Sequence, residues 1–241
     1  VVALVAFPLF YHQERSNNAS HNQGRLDQAM DRLQFRFTTL LESLDQLARN
    51  SLVVNAFVDS TGRELYLFAT LRDFRAPFGL NQTLVLLDSN LTVFAQSGRS
   101  AQLTPLEAAS ARAALETGKT QLAFHAAQER SHLLVAIPVY YPPASTHEGV
   151  LLATVAAAEV MQPVLQGLAP SECLTIVQGE RPLLSTPCDA TGEATRLSAQ
   201  VDIARKAQGD VSLTVAFADT AAAPFRLLTL IAALYSALAA L

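Results

Sequence analysis

The sequence predicts an α+β fold: a long amphipathic helix packed on an antiparallel five-stranded sheet, followed by a smaller β-rich unit. Three observations predict it. Leu26, Met30, Leu33, Phe37, Leu40, Leu44 and Leu47 recur at alternating four- and three-residue steps, a sustained heptad seam. Five β-rich runs, interrupted by one capped helix, then fill the stretch from Thr83 to Ala157. A second group of β signals, containing both cysteines of the chain, occupies Cys173 to Phe217.

With 241 residues, 50% hydrophobic and 16% charged, the chain has material for one large domain or two small ones around a buried core. Ten Gly and eleven Pro exclude a low-complexity chain, and a net charge of −4 argues against nucleic-acid partners, which select a basic face. The 17 basic and 21 acidic side chains all lie between Glu14 and Arg226. Val1 to Tyr11 (VVALVAFPLFY) and Leu227 to Leu241 (LLTLIAALYSALAAL) carry none, and Phe225-Arg226 sits at the head of the second run like an interfacial anchor. Each run is shorter than the roughly 20 apolar residues of a spanning helix. They are expected to be the inner parts of two membrane helices, the end of one in residues 1–11 and the start of another in 225–241, with the polar region looped between them. The alternatives are a signal-peptide remnant for the first and a buried C-terminal helix for the second.

Residues 12–80 hold the long helix and a shorter one. Leu41 and Leu52 widen the seam, which either packs down a sheet or pairs with a second copy in a dimer. Asp59-Ser60-Thr61-Gly62 breaks the pattern, and the second helix, Arg63 to Phe74, stops before Pro77 and Gly79. Residues 81–160 form the sheet module. Thr83–Leu87 and Leu91–Ala95 flank Asp88-Ser89-Asn90, turn residues that tolerate left-handed backbone. Thr104-Pro105-Leu106-Glu107 is a capping box with Pro at the first helical position, opening a helix that ends at Gly118. Strands at Thr120–Ala126 and Ser131–Tyr140 follow, joined by a tight turn at Gln128-Glu129, and a third strand at Gly149–Ala157 comes after a Pro-Pro loop. Two strands, a helix and three antiparallel strands is the element order of a PAS-like sensor module.

Residues 161–224 form a half-sized module that opens with a connector helix at Met161–Leu168. Its hairpin, CLTIVQ-GERP-LLSTPC, places residue 178 opposite 183 and therefore Cys173 opposite Cys188. A disulfide there would staple a thin core and belongs to an oxidising compartment; two free thiols are the alternative.

These elements together resemble the Cache (PAS-like) extracytoplasmic sensors of bacterial receptors: a membrane helix, a long amphipathic helix, a PAS-like module, a smaller repeat and a returning membrane helix. The segment Leu52-Val53-Val54-Asn55-Ala56-Phe57-Val58-Asp59 followed by Thr83–Ala95 is similar to the entry into that family's distal module. The resemblance implies a small-molecule pocket in the distal module, homodimerisation along the long helices, an inner-membrane location with this region in the periplasm, and a cytoplasmic kinase, diguanylate cyclase or chemotaxis output. Tyr66, Arg72, Phe74 and Arg75 offer the residue types of the amino-acid-binding motif in that family, but not its spacing.

Read from the residues, chemistry is sparse, and no cofactor is expected. Glu116-Thr117-Gly118-Lys119-Thr120 ends like a phosphate-binding loop, yet position 113 is Ala where a Gly is needed and the helix precedes the Gly, so it reads as a helix C-cap. No nucleophile elbow occurs, and neither Cys has a catalytic context. His125 and His132 face each other across the predicted hairpin, a weak metal site without a third ligand or simply two half-exposed strand residues. Of the two faces of the third and fourth strands, one carries Leu122, Phe124, Leu133, Val135, Ile137 and Val139 and is expected to meet the long helix. The other carries Ala123, Leu134, Ala136 and Tyr140, small enough to leave room for a ligand. Arg72 and Arg75 are placed to reach a ligand carboxylate, or are solvated charges, and Tyr140 is a ligand contact or ordinary core. The expectation is a non-catalytic sensing region. A periplasmic interaction module without a small ligand, marked by a pocket filled with its own side chains, is the first competitor. An extracytoplasmic enzyme is the second.

Overall fold

The apolar seam lies on one continuous helix, α1 (Val2–Ala48), 47 residues long in the computed structural model. The structure describes residues 2–59, 61, 63–98, 102–127, 130–166, 172–178, 180–185, 195–202 and 212–219. The chain divides into two compact units, one of Leu33–Pro163 and Asp202–Ser212, the other of Val1–Arg32, Val164–Val201 and Leu213–Leu241.

In the first unit five antiparallel strands form a sheet of order β2-β1-β5-β4-β3. They are β1 (Gln82–Asp88), β2 (Val93–Gln96), β3 (Gln121–Ala127), β4 (Arg130–Tyr141) and β5 (Thr146–Ala156). Leu33, Phe37, Leu40 and Leu44 of α1 are fully buried, and Phe37 meets Phe124 of β3 edge-to-face at 6.3 Å, so α1 covers that face of the sheet. Each such side chain contributes about 1.5–3 kcal/mol of apolar transfer energy. Helix α4 (Pro105–Thr117) covers the other face, with Ala111 and Ala114 packed into Leu87, Leu134, Ala136, Val150 and Leu152. The result is three layers with the sheet in the middle.

Local chemistry fixes the ends of these elements. The Thr104–Glu107 capping box is formed, and Gly118 closes α4 with φ 64°, as the sequence predicts. The Asp88 carboxylate accepts from the backbone N–H groups of Asn90 and Thr92, closing the β1–β2 turn while Leu91 adopts φ 61°. The long helix ends earlier than the apolar pattern suggests. Asn50 takes an extended conformation and caps a short helix, α2 (Ser51–Asn55), by accepting from Leu52 N–H at 2.9 Å, which leaves the Leu52 side chain exposed. A π-helical turn (Arg63–Leu67) then runs into α3 (Phe68–Asp73).

Two contacts tie the periphery to the sheet. The Arg63 guanidinium lies 3.9 Å from the centre of the Phe94 ring, Phe94 stacks on Phe57 at 4.7 Å, and Phe57 rests on Gly149. In α5 (Ala157–Leu165), Pro163 has no N–H to give the Glu159 carbonyl one turn back. The Arg36 guanidinium donates instead, to Glu159 C=O at 3.3 Å and to Val160 C=O at 2.8 Å. Burial lowers the Arg36 pKa from its ordinary value.

In the second unit Leu26 and Ala29 of α1 are buried. Four strands, β6 (Glu172–Gln178), β7 (Arg181–Ser185), β8 (Thr195–Asp202) and β9 (Ser212–Asp219), form a sheet of order β7-β6-β9-β8. The β6–β7 register corrects the expected one: Gln178 lies opposite Arg181, and a bulge shifts the ladder so that Thr175 lies opposite Ser185. The hairpin turn is two residues tighter than the sequence reading, because Arg181 and Pro182 join the strand. Cys188 lies outside the described residues, so the Cys173–Cys188 pairing is not described. Among the described residues no helix is long and apolar enough to cross a membrane. Residues 225–241 lie outside the described set.

Met30 is half-buried, and the other six seam residues are buried within the chain itself. From Leu33 onward the seam packs on its own sheet. Of the two arrangements open to the seam, packing down a sheet is the one seen within the chain.

Two stability experiments follow from this packing. A Cβ at Gly149 would sit 2.1 Å from the Leu87 carbonyl oxygen and 2.5 Å from the Phe57 ring, whereas nothing lies within 4 Å of one at Gly24. Gly149→Ala is expected to lower unfolding free energy by about 1–3 kcal/mol, and Gly24→Ala to raise it by up to about 1 kcal/mol, in urea titrations. Arg36→Met should cost about 1–3 kcal/mol by orphaning the Glu159 carbonyl. In a double-mutant cycle Pro163→Ala, which restores the N–H, should recover part of that loss.

Candidate functional site

Strand β4 outruns its neighbour. The β3–β4 ladder ends at Gln121 opposite Ala136, while β4 continues to Tyr141, paired among the described residues with β5 alone, from Ile137 opposite Leu151 to Tyr141 opposite Thr146. Beside this overhang lies an open groove of about 1150 Å³. One wall is a stripe of α1 carrying Gln34, Thr38, Leu41, Glu42, Asp45 and Arg49. The other is the overhang itself, with Ile137, Pro138, Tyr140 and Tyr141, continued by Pro142 and Pro143. Gly118, Lys119 and Thr120 leave α4 along a third side, and Ser51, Val54 and Asn55 line it from α2.

A bulge shapes the floor. Val139 pairs with Gly149 but Tyr140 pairs with His147, so Glu148 is the extra residue on β5. The shift sets the Tyr140 and His147 rings 5.5 Å apart at 60°. The imidazole lies against Gly118: a Cβ there would come within 2.8 Å of His147 Cε1, so the left-handed cap and this contact both require glycine. Asp45 and Arg49 form an ion pair at 2.9 Å, and Gln34 Nε2 donates to Thr38 Oγ1 at 3.4 Å. Gln121 Nε2 donates to Thr117 Oγ1 and to the Lys119 carbonyl, bracing the turn where the chain leaves α4. Carboxylates on α1, two phenols and an imidazole therefore surround a partly apolar trough.

The structure distributes the predicted site residues unevenly. Tyr140 lines the groove and is 45% exposed. The face bearing Leu134 and Ala136 leaves no room: both are fully buried under Ala111 and Ala114 of α4, with Ala123 packed at the margin. Small side chains on the sheet are matched there by small side chains on the helix, which the strand sequence alone does not reveal. Arg72 and Arg75 stand outside the groove lining. Arg72 Nε donates to Asp73 Oδ1 at 3.0 Å, a hydrogen bond and charge pairing that hold the Asp73 carboxyl below its ordinary pKa and the Arg72 guanidinium above its own. Arg75 Nη1 donates to the backbone carbonyls of Arg72 and Phe74. His125 and His132 are opposed in the ladder as predicted, and among the described residues no cluster of three metal-ligating side chains occurs.

Sequence reasoning missed Gln34, Thr38, Asp45, Lys119 and His147. The α1 members were readable as a polar stripe flanking the seam. His147 carries no such signal, because its place depends on the bulge.

No protein-family model matches the sequence, and no curated protein matches it. Solved structures do. The chain is similar to the periplasmic domain of Vibrio cholerae LuxQ, with 13% identity, 83% of this chain and 98% of that one covered, and a TM-score of 0.54. It is similar to the sensor domain of the V. cholerae histidine kinase DctB, with 13% identity, 86% and 98% covered, and a TM-score of 0.54. It is also similar to the ligand-binding domain of the Pseudomonas aeruginosa PAO1 amino-acid chemoreceptor PctB, a complex with L-Arg, with 14% identity, 87% and 90% covered, and a TM-score of 0.55. These likenesses establish the fold, the PAS-like α+β fold that these periplasmic sensor and ligand-binding domains share.

If the Leu134 face is core, Leu134→Ala should cost about 2–5 kcal/mol in urea titrations. Tyr140→Ala, at an exposed rim, should change stability by less than about 0.5 kcal/mol.

Proposed function

We propose that this chain is the periplasmic sensing region of a bacterial transmembrane signalling receptor, a sensor histidine kinase or diguanylate cyclase, and that it is not itself an enzyme. In this reading residues 1–11 and 225–241 are the inner ends of two membrane helices. Residues 161–224 are a membrane-proximal module stapled by a Cys173–Cys188 disulfide, and the receptor works as a homodimer. The ligand, a small molecule, sits in the groove between α1 and the β4 overhang.

The observation that carries this reading is the identity of the groove wall. Gln34 to Arg49 belong to α1, one continuous helix that begins at the uncharged N-terminal run. At 1.5 Å per residue a helix of this length extends about 70 Å. In this reading a ligand pressing on the C-terminal third of α1 acts on the helix whose first residues lie at the membrane. It shifts the receptor only by the difference in its affinity for two settings of that helix.

A second reading, a module that recognises a periplasmic protein, is favoured by one observation: the sheet face opposite α1 is filled by the protein's own side chains.

A thermal-shift screen of the chain in mild detergent, against amino acids, carboxylates, amines, purines and divalent metals, tests the first reading. A ligand at a hundred times its Kd stabilises by about 2.7 kcal/mol, and each kcal/mol moves Tm by about 2–4 °C at this size. A saturable shift abolished by Thr38→Trp, which fills the groove, is expected. A shift that survives Thr38→Trp would remove the groove from the proposal, and no shift at all would favour the protein-reading module.

A further inference from the structure

We infer that α1 carries a built-in hinge at Asn22–Gly24, about which its first residues swing while the stripe from Leu33 to Leu47 stays packed on the sheet. The inference concerns α1 alone and does not depend on the groove being the binding site.

Three observations carry it. The first is a buried amide. Asn22 stands four residues before Leu26, so it continues the apolar seam toward the N-terminus, and it is only 4% exposed. It is the one buried polar side chain among the described residues, and none of them offers its amide a hydrogen-bond partner. Withdrawing an amide from water without giving it a partner leaves its desolvation uncompensated. A bend that lets water reach Asn22 recovers part of that cost. The straight helix is therefore opposed by one of its own seam residues.

The second observation is Gly24, two residues on. A structure requires glycine where the backbone turns left-handed, or where another group approaches too closely for a Cβ. Neither condition holds here. Gly24 has no positive φ, and nothing lies within 4 Å of a Cβ built on it. What glycine does bring to this position is a weak link, since it is among the poorest helix formers and a recurrent site of helix bending.

The third is the run that leads into this turn, Ser16-Asn17-Asn18-Ala19-Ser20-His21-Asn22-Gln23-Gly24. Only Ala19 and Gln23 are strong helix formers, and Ser and Asn side chains compete for the hydrogen bonds of their own backbone. The run holds no Asp, Glu, Lys or Arg, so no ion pair within it supports the helix. The later turns differ: Leu33, Phe37, Leu40 and Leu44 are all fully buried. Local opening concentrates where buried apolar contacts are fewest and the backbone is least favoured. One continuous helix thus has a weak turn ahead of a locked stripe, which is the arrangement of a hinge.

The test uses the 241-residue chain in mild detergent and reads hydrogen–deuterium exchange along α1 by mass spectrometry. Opening the turn at Asn22–Gly24 releases the N–H groups of residues 26–28, which bond to the carbonyls of residues 22–24. These amides are expected to exchange at least about tenfold faster than those of residues 37–44, and faster than those of residues 6–13. Even protection along the helix, or exchange fastest at residues 6–13 as in a fraying end, would overturn the hinge. Two variants then locate its cause. Gly24→Ala and Asn22→Leu should each raise Tm by about 2–4 °C and slow exchange at residues 26–28, with residues 37–44 unchanged. A lower Tm for Asn22→Leu would overturn the role given to Asn22. If neither variant slows exchange at residues 26–28, the turn does not set the hinge and the inference falls. Should Asn22→Leu fail to fold, the wild-type profile and Gly24→Ala decide alone.

Discussion

The packing of one stripe of α1 on one face of the sheet is the constraint from which the rest of the molecule follows. Leu33, Phe37, Leu40, Leu44 and Leu47 are buried to 5% exposure or less, and together they fix both the rotation of the helix and its height along the strands. With the rotation fixed, the flanking positions have no freedom. Gln34, Thr38, Glu42 and Asp45 must stand at the border of the contact, and there they become a groove wall. Phe35 and Arg36 fall at the other border, where the Arg36 guanidinium covers the Phe78 ring at 4.2 Å and reaches the carbonyls that Pro163 leaves unserved. A helix held by five large apolar side chains does not slide by fractions of a turn, since each would have to leave a filled space. Any movement of α1 is therefore between discrete packings.

Much of this was legible in the sequence, for physical reasons that differ between elements. The seam and the capping box are read from spacing alone, and both are local signals that tertiary structure had no cause to override. The α+β class and the hairpin neighbours follow from the succession of elements, because short turns force antiparallel pairs, whereas the β1–β5 pairing that joins the two groups does not. The failures cluster where one residue changes a register. At Asn50 a side-chain cap ends α1 while the apolar pattern runs on. At Arg181 and Pro182 two turn-like residues join a strand. At Glu148 an extra residue re-aims the floor of the groove. None of these alters the hydrophobic pattern, so period-based reasoning passes over them.

The site was legible in part only. Alternation along β4 correctly separated Val135 and Ile137 from Leu134 and Ala136. It did not reveal what lies opposite the second set. Small residues on a strand leave space only if the facing helix is held away. The capping box and Gly118 instead define an α4 of 13 residues whose inward positions are alanines, and alanine on alanine closes the distance. The same close approach relocates the open space. Since α4 ends at Gly118 and the chain rejoins the sheet only at Gln121, the far end of β4 has no β3 partner, and Gly118, Lys119 and Thr120 line the groove beside it. Filling one face and opening the edge are two results of one helix length.

This geometry also bears on how occupancy of the groove would act on α1. The two walls differ in kind: α1 is held by its buried stripe, while the β4–β5 hairpin end is held by the bulge, by the Tyr140–His147 contact and by Gly118 beneath it. Moving a population from 1:99 to 99:1 takes about 5.5 kcal/mol of differential affinity. A ligand that touched only the hairpin end would gain nothing from a movement of α1. An occupant lying along the trough contacts both walls for more than three helical turns, and its differential contacts accumulate over the stripe from Gln34 to Arg49. A switch through α1 would therefore draw on contacts made to the α1 stripe itself.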